Sequence, residues 1–324
     1  MEQFLQISDF LEYIGPKCIG PAHEDLLKFK DTTPTFPFIC SKAYADKIIQ
    51  AQDPAPLLYQ ILPQLIENQD VPGFVDDPVG DLPAVEKAAP SLPFVLQKYT
   101  GRALVMTTST CGLHCRFCFR RNYPYTPIPN IHTLLKDWLQ DHSDIWEIIL
   151  SGGDPLMLSQ TKFEEVVKVI EECKSVSTLR IHTRLPIVRP DLIEKHLPTL
   201  SLIPQHLKAV MVIHANHPDE LDQSSKKFFE QLRNQGWTLL NQSTLLHKVN
   251  DTPQTLAHLC RKLFDQGVLP YYLHQLDHAK GVAHFEVSDK LANQLIEEIR
   301  KVLPGYLVPK LVREIAGEPS KTPL

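Results

Sequence analysis

The stretch ALVMTTSTCGLHCRFC, residues 103–118, joins a short apolar run to three closely spaced cysteines. The run Ala103–Thr108 has the composition of a buried strand. The segment that follows carries Cys111, Cys115 and Cys118 in the spacing C-x3-C-x2-C. Loops after parallel strands are where α/β barrels and open α/β sheets place their chemistry. The stretch therefore predicts a metal or redox site at the end of a strand.

Downstream of this stretch, short β-rich runs alternate with helical patterns. The strand runs are Ala103–Thr108, Glu147–Ser151, Thr178–Thr183, Ala209–Ala215, Thr238–Ser243 and Tyr271–Leu276. The helical patterns are His132–Asp141, Thr161–Cys173, Asp191–Leu197, Asp219–Gln235 and Pro253–Gln266. Such alternation predicts βαβ units around a parallel sheet, hence an α/β fold. From the pattern alone, a partial barrel and a doubly wound sheet remain open.

The chain upstream of the first predicted strand lacks this alternation of strand and helix patterns. Residues 1–95 are rich in proline, with short helical patterns at Leu5–Tyr13, Ala43–Gln50 and Pro56–Asn68 and an extended loop at Val71–Pro93. A last helix, Ser288–Val302, precedes a strand-like Tyr306–Ile315 and a short tail. We therefore predict an N-terminal extension (1–95), a barrel region (96–287) and a C-terminal segment (288–324).

Composition narrows the class of protein. Of the 324 residues, 43% are hydrophobic and 22% charged, as expected for a folded globular chain. The formal charge of −5 lacks the basic excess that nucleic-acid binding needs. The start has no basic segment followed by an apolar core, and no apolar run is long enough to span a bilayer. We expect a cytoplasmic protein that contacts neither membranes nor nucleic acid.

Three thiolates on one loop can hold either zinc, with a fourth ligand such as His114, or an iron–sulfur cluster with one open iron. A second motif follows the next predicted strand, at Gly152-Gly153-Asp154. Paired glycines at a strand end let a ligand approach the backbone closely. The four remaining cysteines are scattered and are expected to pack as small hydrophobic residues.

Together, these two motifs resemble the radical S-adenosylmethionine (SAM) superfamily. The resemblance implies a [4Fe–4S] cluster on Cys111, Cys115 and Cys118, whose open iron chelates SAM. It further implies SAM contacts from four residues: Gly152, Gly153, Asp154 and Gln242.

Further blocks are similar to the lysine 2,3-aminomutases, in the same order from about residue 71 to the C-terminus. They are Phe119-Arg120-Arg121, His182-Thr183-Arg184-Leu185-Pro186, His214-Ala215-Asn216-His217-Pro218, Asn241-Gln242-Ser243, Pro270-Tyr271-Tyr272-Leu273 and Gly305-Tyr306-Leu307-Val308-Pro309. The likeness is greatest to the short branch that supplies β-lysine to translation elongation factor P. It implies a partial (β/α)6, TIM-like radical SAM barrel with an N-terminal helical extension and a short C-terminal segment that carries a pyridoxal phosphate (PLP) lysine.

The aminomutase resemblance also assigns residues to PLP and to substrate. Lys321, in Lys321-Thr322-Pro323, matches the lysine that attaches PLP, although the glycine run that normally precedes it is largely missing. Lys98 and Tyr99 match a pair that holds the PLP phosphate, with lysine in place of arginine. Arg120 is expected to bind the substrate α-carboxylate. Asp277 and Glu314 are expected to bind the ε-ammonium of lysine, with glutamate at 314 where aspartate is usual.

The resemblance implies that the protein is an isomerase that converts L-lysine to β-lysine, in the (R) form, for the modification of elongation factor P. Its implied partners are L-lysine, an electron donor, and elongation factor P with its lysyl-transferring enzyme; an assembly of identical copies stays open. The fermentative aminomutases carry a C-terminal zinc site, and because no cysteine follows Cys260 here, the resemblance implies that this zinc site is missing. Two alternatives remain: an aminomutase for another amino acid such as glutamate, or a zinc-binding interaction protein.

Overall fold

The computed structural model describes residues 2–16, 18–19, 36–82, 92, 94–126, 128, 130–204 and 206–324. Its strands in chain order are β1 (Gln3–Phe4), β2 (Cys40–Ser41), β3 (Val95–Tyr99), β4 (Arg102–Thr108), β5 (Glu147–Gly152), β6 (Thr178–Thr183), β7 (Lys208–Ile213), β8 (Thr238–Thr244), β9 (Leu269–His274), β10 (Lys310–Arg313) and β11 (Thr322–Pro323).

The α-helices of the described ranges alternate with these strands. They are α1 (Ile7–Ile14), α2 (Lys42–Gln50), α3 (Ala55–Tyr59), α4 (Ile131–Asp141), α5 (Gln160–Glu172), α6 (Leu185–Val188), α7 (Pro190–Ile193), α8 (Leu197–Ser201), α9 (Gln223–Asn234), α10 (Pro253–Asp265) and α11 (Asp289–Arg300). Short 3-10 turns also occur, of which Leu65–Asn68, Glu194–His196, Pro218–Glu220 and Gly305–Leu307 bear on the predictions. No helix in the described part of the chain is long and apolar enough to cross a membrane.

Strand order decides between the two architectures that the sequence left open. Strands β4 to β10 are parallel and lie in the sheet in the order of the chain, each paired with the next. A doubly wound sheet reverses its strand order at a switch point, whereas a barrel keeps it. The sheet is bounded by the antiparallel strands β3 and β11. It is therefore a partial, TIM-like barrel of six βα units followed by β10, and the parallel strands end at one edge.

Several predicted helices are shorter or broken, and proline or capping explains each case. The predicted helix Asp191–Leu197 is split among α7, a 3-10 turn and α8, where Pro190 and Pro198 begin new turns. The predicted helix Asp219–Gln235 starts late, because the Asp222 side chain accepts the Ser225 amide and caps α9. The predicted helix Pro56–Asn68 is divided around Pro63 into α3 and a 3-10 turn.

The predicted strand Tyr306–Ile315 is also too long. Its first part is the 3-10 turn Gly305–Leu307, and sheet pairing begins only at Lys310, after Pro309, which lacks an amide hydrogen. Four strands were not predicted: β1 and β2, which form a separate two-stranded sheet, and β3 and β11 in the main sheet. Strand β3 pairs with β4 across a turn at Gly101, which has a φ of +72°, and β11 is a two-residue pairing of the tail with β10.

The N-terminal extension packs on the barrel through helices α1, α2 and α3, whose apolar faces join the main hydrophobic core. Of the predicted loop Val71–Pro93, residues 83–91 and 93 lie outside the described residues. The described part is joined to the loop after β9, because the Val75 amide donates to the His278 carbonyl and the Lys280 amide donates to the Val75 carbonyl. This attachment brings residues 71–82 to the strand ends.

Candidate active site

One cavity of about 530 Å³ lies at the carboxyl ends of the parallel strands. Every site residue predicted from the sequence lines it: Lys98, Tyr99, Cys111, Cys115, Cys118, Arg120, Gly152, Gly153, Asp154, Gln242, Asp277, Glu314 and Lys321. These residues are spread over 224 positions of sequence, from 98 to 321. The volume is within the usual range of small-molecule and cofactor sites.

A buried cluster of ion pairs holds the cysteine loop (residues 109–121) in place. Both Arg116 and Arg121 donate to the carboxylate of Glu67, the Arg121 contact being 2.7 Å. Although burial opposes it, the two arginines hold the pKa of Glu67 below its usual value. The Arg116 side chain is fully buried. The N-terminal extension thus fixes the loop that carries the cysteines.

The three cysteines of this loop are free thiols. Burial raises the pKa of each, that of Cys118 to about 11; neighbouring cysteines add to the effect at Cys111 and Cys118, whereas Arg184 opposes it at Cys115. Opposite them lies Arg184, whose Nη1 donates to the Sγ of Cys115 at 2.6 Å and whose Nη2 pairs with the buried Glu220. A buried cation beside the sulfurs favours their thiolate form when a metal centre binds.

The donor set of the cysteine loop fits an iron–sulfur cluster. In the described ranges, no three His, Cys, Asp or Glu side chains converge closely enough to hold a single metal ion. A cube-shaped cluster does not need that convergence, because each thiolate binds a different iron. His114, the alternative zinc ligand, instead contacts the carbonyl of Pro37 through Nδ1 at 3.0 Å and stacks on Phe36.

The glycine pair at the end of β5 is required by the cysteine loop itself. A Cβ at Gly152 would lie 2.6 Å from the carbonyl oxygen of Thr108, and one at Gly153 would clash with the carbonyl of Thr110. Gly152 also has a φ of +115°, which side chains rarely adopt. The sequence suggested that these glycines admit a ligand; the structure shows that they also admit the backbone that leads to Cys111.

The carboxylate of Asp154 accepts several hydrogen bonds that fix the backbone around the glycine pair. It accepts from four protein donors, the Thr183 hydroxyl and the amides of Leu156, Arg184 and Leu185, at 2.8–3.1 Å. Both oxygens are therefore occupied by protein groups, which fixes the ends of β5 and β6 next to each other. Gln242, on β8, lines the same cavity.

Asp81 is a site residue that the sequence analysis missed. It is buried and its carboxylate bridges two predicted cationic contacts, pairing with Lys98 Nζ at 2.6 Å and with Arg120 Nε at 2.6 Å. Arg120 also donates from Nη1 to the Ser151 hydroxyl at 3.3 Å. Asp81 holds one edge of the Arg120 guanidinium, and in the described part of the chain the Nη2 nitrogen makes no hydrogen bond.

Glu314 and Lys321 form an ion pair close to Lys98, whose Nζ is 4.0 Å from Glu314 Oε1. Lys321 Nζ donates to Glu314 Oε2 at 2.7 Å, and the Tyr99 hydroxyl donates to Glu314 Oε1 at 2.6 Å. Although burial opposes it, Lys321 and Tyr99 hold the pKa of Glu314 below its usual value. Both oxygens of this predicted substrate acid are thus used inside the protein.

Asp277 is in a different state from Glu314. Its Oδ1 is buried and has no hydrogen-bond partner among the described residues. Burial raises the pKa of Asp277 to about 7, against the opposing charge of Lys321. A buried carboxylate without a partner costs free energy, and the cost is recovered when a cation binds it.

Two further histidines face the cavity and were not singled out from the sequence. The Nε2 atoms of His182, on β6, and His274, at the end of β9, are buried and have no partner in the described residues. Burial lowers the pKa of each well below its usual value. Their positions at the ends of predicted strands were the available signal.

Two proteins with similar sequences are both named L-lysine 2,3-aminomutase. No protein-family profile matches the chain. The L-lysine 2,3-aminomutase of Escherichia coli (strain K12) is 41% identical over 307 residues, which are 94% of this chain and 87% of that protein. The L-lysine 2,3-aminomutase of Haemophilus influenzae is 43% identical over 282 residues, 86% of this chain and 82% of that protein.

Among solved structures, a radical SAM methyltransferase from Sphaerobacter thermophilus aligns over 68% of each chain, with a TM-score of 0.47 and 14% identity. The aminomutase relatives match at far higher identity and over most of their length. On the strength of that identity and coverage, the chain belongs to the L-lysine 2,3-aminomutase family of isomerases.

Proposed function

We propose that this protein is a PLP-dependent radical SAM enzyme that moves the amino group of L-lysine from C2 to C3. The observation that carries the proposal is that one cavity is lined by three free cysteines, by the tail lysine Lys321, and by Arg120 and Asp277. The family relationship supports the same reaction.

On the cluster side, Cys111, Cys115 and Cys118 would hold the [4Fe–4S] cluster, and Gly152, Gly153 and Gln242 would contact SAM. Asp154 would act on SAM indirectly, because its oxygens already accept protein donors that fix the glycine-bearing strand end. When bound, the cluster and SAM supply one-electron chemistry that removes a hydrogen atom from an unactivated carbon, and PLP supplies the conjugated system through which the nitrogen moves.

On the PLP side, Lys321 would attach the cofactor and Lys98 and Tyr99 would contact its phosphate. The Lys98 ammonium is held at the cavity wall by Asp81 and by the carbonyl of Val79, the latter at 2.8 Å. The lysine gives a point-charge contact where an arginine would give a two-pronged one.

The substrate would lie between Arg120 and Asp277. The guanidinium edge of Arg120 that Asp81 leaves free can take the α-carboxylate. Asp277, with an unpartnered buried oxygen, can take the ε-ammonium. The two charged side chains would hold the carbon chain of the substrate extended, so that its C2 and C3 stay in one place. The wall of the cavity would keep water away from these reacting carbons.

We further propose that the product is (R)-β-lysine and that it serves the modification of elongation factor P, which would place the protein in the cytoplasm. This step is supported by the sequence blocks shared with that branch of the family. It is tested by chiral chromatography of the product and by the mass of elongation factor P incubated with the product and its lysyl-transferring enzyme. A product of (S) configuration would reject the assignment.

The reaction itself is tested by anaerobic incubation with SAM, PLP, a reductant and L-lysine labelled with ¹⁵N at the α-amino group and ¹³C at C3. We expect the NMR spectrum to show a new ¹³C–¹⁵N coupling at C3. Glutamate should give no such product. Protein that cleaves SAM while the lysine signals stay unchanged would contradict the proposal.

A further inference from the structure

We propose that Glu314 holds the ammonium of Lys321 whenever that lysine is not attached to the cofactor, which leaves Asp277 as the acid for the ε-ammonium of the substrate. The inference rests on the PLP-dependent lysine chemistry proposed above. The sequence resemblance assigned the ε-ammonium of the substrate to both Asp277 and Glu314; here Asp277 alone binds it, and Glu314 binds Lys321.

The geometry of Glu314 supports the first half. Its two oxygens already have partners, Lys321 Nζ at 2.7 Å and the Tyr99 hydroxyl at 2.6 Å. The Glu314 side chain is 12% exposed and that of Lys321 is 23% exposed, so the pair is largely withdrawn from water. The Tyr99 hydrogen bond fixes the carboxylate in the orientation that meets Lys321. A further ammonium at the same carboxylate would have to displace one of these donors.

Asp277 supports the second half. It follows β9, lines the same cavity, and its Oδ1 atom has no hydrogen-bond partner in the described part of the chain. Most buried polar side-chain atoms have a hydrogen-bond partner, so a carboxylate oxygen that lacks one at a cavity wall is available to a bound cation. Of the two acids, Asp277 is therefore the one prepared for a cation that comes from outside.

The chemistry of Lys321 requires two states. Its amine joins the aldehyde carbon of PLP with loss of one water molecule, and it is displaced when the amino group of the substrate takes its place at that carbon. The displaced amine, once protonated, needs an anionic partner within reach. The structure holds Lys321 in contact with Glu314, so the displaced lysine has a defined place to go.

The test measures amino-acid binding without turnover, by the absorbance of PLP on the protein in the absence of SAM and reductant. L-lysine is compared with L-norleucine, which has the same carbon chain and lacks the ε-ammonium. The variants are Glu314→Gln and Asp277→Asn, with Glu318→Gln as the control, because Glu318 is an exposed carboxylate of the tail. The absorbance of bound PLP itself shows that each variant retains a folded site.

In the unsubstituted protein we expect lysine to bind at least about tenfold more tightly than norleucine. Glu314→Gln should weaken both amino acids by a similar factor, about five- to tenfold, because displaced Lys321 loses its partner in either case. The preference for lysine should then stay within about twofold of the original. Asp277→Asn should abolish most of that preference, and Glu318→Gln should change neither binding constant.

Two results would overturn the inference alone. If Glu314→Gln abolishes the lysine preference as Asp277→Asn does, Glu314 is a substrate acid. If it leaves both binding constants unchanged, Glu314 does not hold displaced Lys321. If neither amino acid alters the absorbance of PLP on the unsubstituted protein, the proposed function fails and this inference fails with it.

Discussion

The cysteine loop and the substrate side of the cavity are built in opposite ways. The loop is fixed by buried groups that already have partners, such as Glu67 between two arginines. On the substrate side, Asp277 has a buried oxygen without a partner, and the tail that carries Lys321 is attached by the two-residue strand β11. The comparison indicates that the cluster end is completed by folding, whereas the substrate end is completed by its ligands.

The largest effect should come from the cysteines. Replacing Cys111, Cys115 or Cys118 with alanine should abolish iron–sulfur absorbance and SAM cleavage, because the cluster would then lack one of its three protein ligands. Cys173→Ala is the control and should keep both signals. PLP binding should survive in all four variants, since the ammonium of Lys321 pairs with Glu314 and not with a cysteine. A cysteine-loop variant that retains four irons would show that the ligands have been misassigned.

On the cluster side, removing a charge should destabilise the fold. Glu67→Gln leaves Arg116 and Arg121 without their shared carboxylate and should lower the free energy of unfolding by about 3–5 kcal/mol. The matched control is Asp46→Asn, which breaks the exposed pair with Lys42 and should cost about 0.5 kcal/mol or less. Denaturant unfolding measures both. Equal effects of the two substitutions would contradict the account of the loop.

On the substrate side, removing the charge of Asp277 should instead stabilise the fold. The folded pKa of Asp277, about 7, lies above its ordinary value of 3.8, so the ionised side chain destabilises the cofactor-free fold at high pH. Asp277→Asn should therefore raise the free energy of unfolding at pH 8 by roughly 2–4 kcal/mol. The gain should shrink as the pH falls through about 7 and be absent below the ordinary value. A variant less stable than the original at pH 8 would mean that Asp277 is structural.

A smaller effect is expected on substrate binding. Asp277→Asn should weaken lysine binding by at least about tenfold, the equivalent of 1.4 kcal/mol. Arg120→Lys should weaken it comparably, because an ammonium cannot reproduce the planar fork that meets a carboxylate. PLP loading should persist in both, as judged from absorbance. Wild-type lysine affinity in Asp277→Asn would remove most of the case for lysine as the substrate.

The two regions also differ in how far the sequence predicts them. Strands β4 to β9 were located because β-rich runs reveal buried strands, and the cysteine spacing located the loop. Their supports were not predicted, since Glu67 and Glu220 are isolated acids whose arginine partners are 49–54 and 36 residues away in the chain. No local periodicity marks such contacts.

On the substrate side, Lys321, Asp277 and Glu314 were found only through the family resemblance. In isolation each reads as an ordinary surface residue, and what brings them together is the parallel pairing of β9 with β10. Asp81 was missed because it lies in a proline-rich segment without periodicity. Strand β3 had a readable signal, an apolar run followed by Thr100-Gly101, which forms the turn into β4.

The most direct test of a cavity shared by the cysteine loop and the tail is the site at which PLP attaches. Borohydride reduction of the PLP-loaded protein, followed by proteolysis and mass spectrometry, identifies the modified lysine. The account predicts label on Lys321, unchanged in the control Lys310→Arg, although Lys310 also lines the cavity. Label on Lys310 or Lys98 in the unsubstituted protein would contradict it.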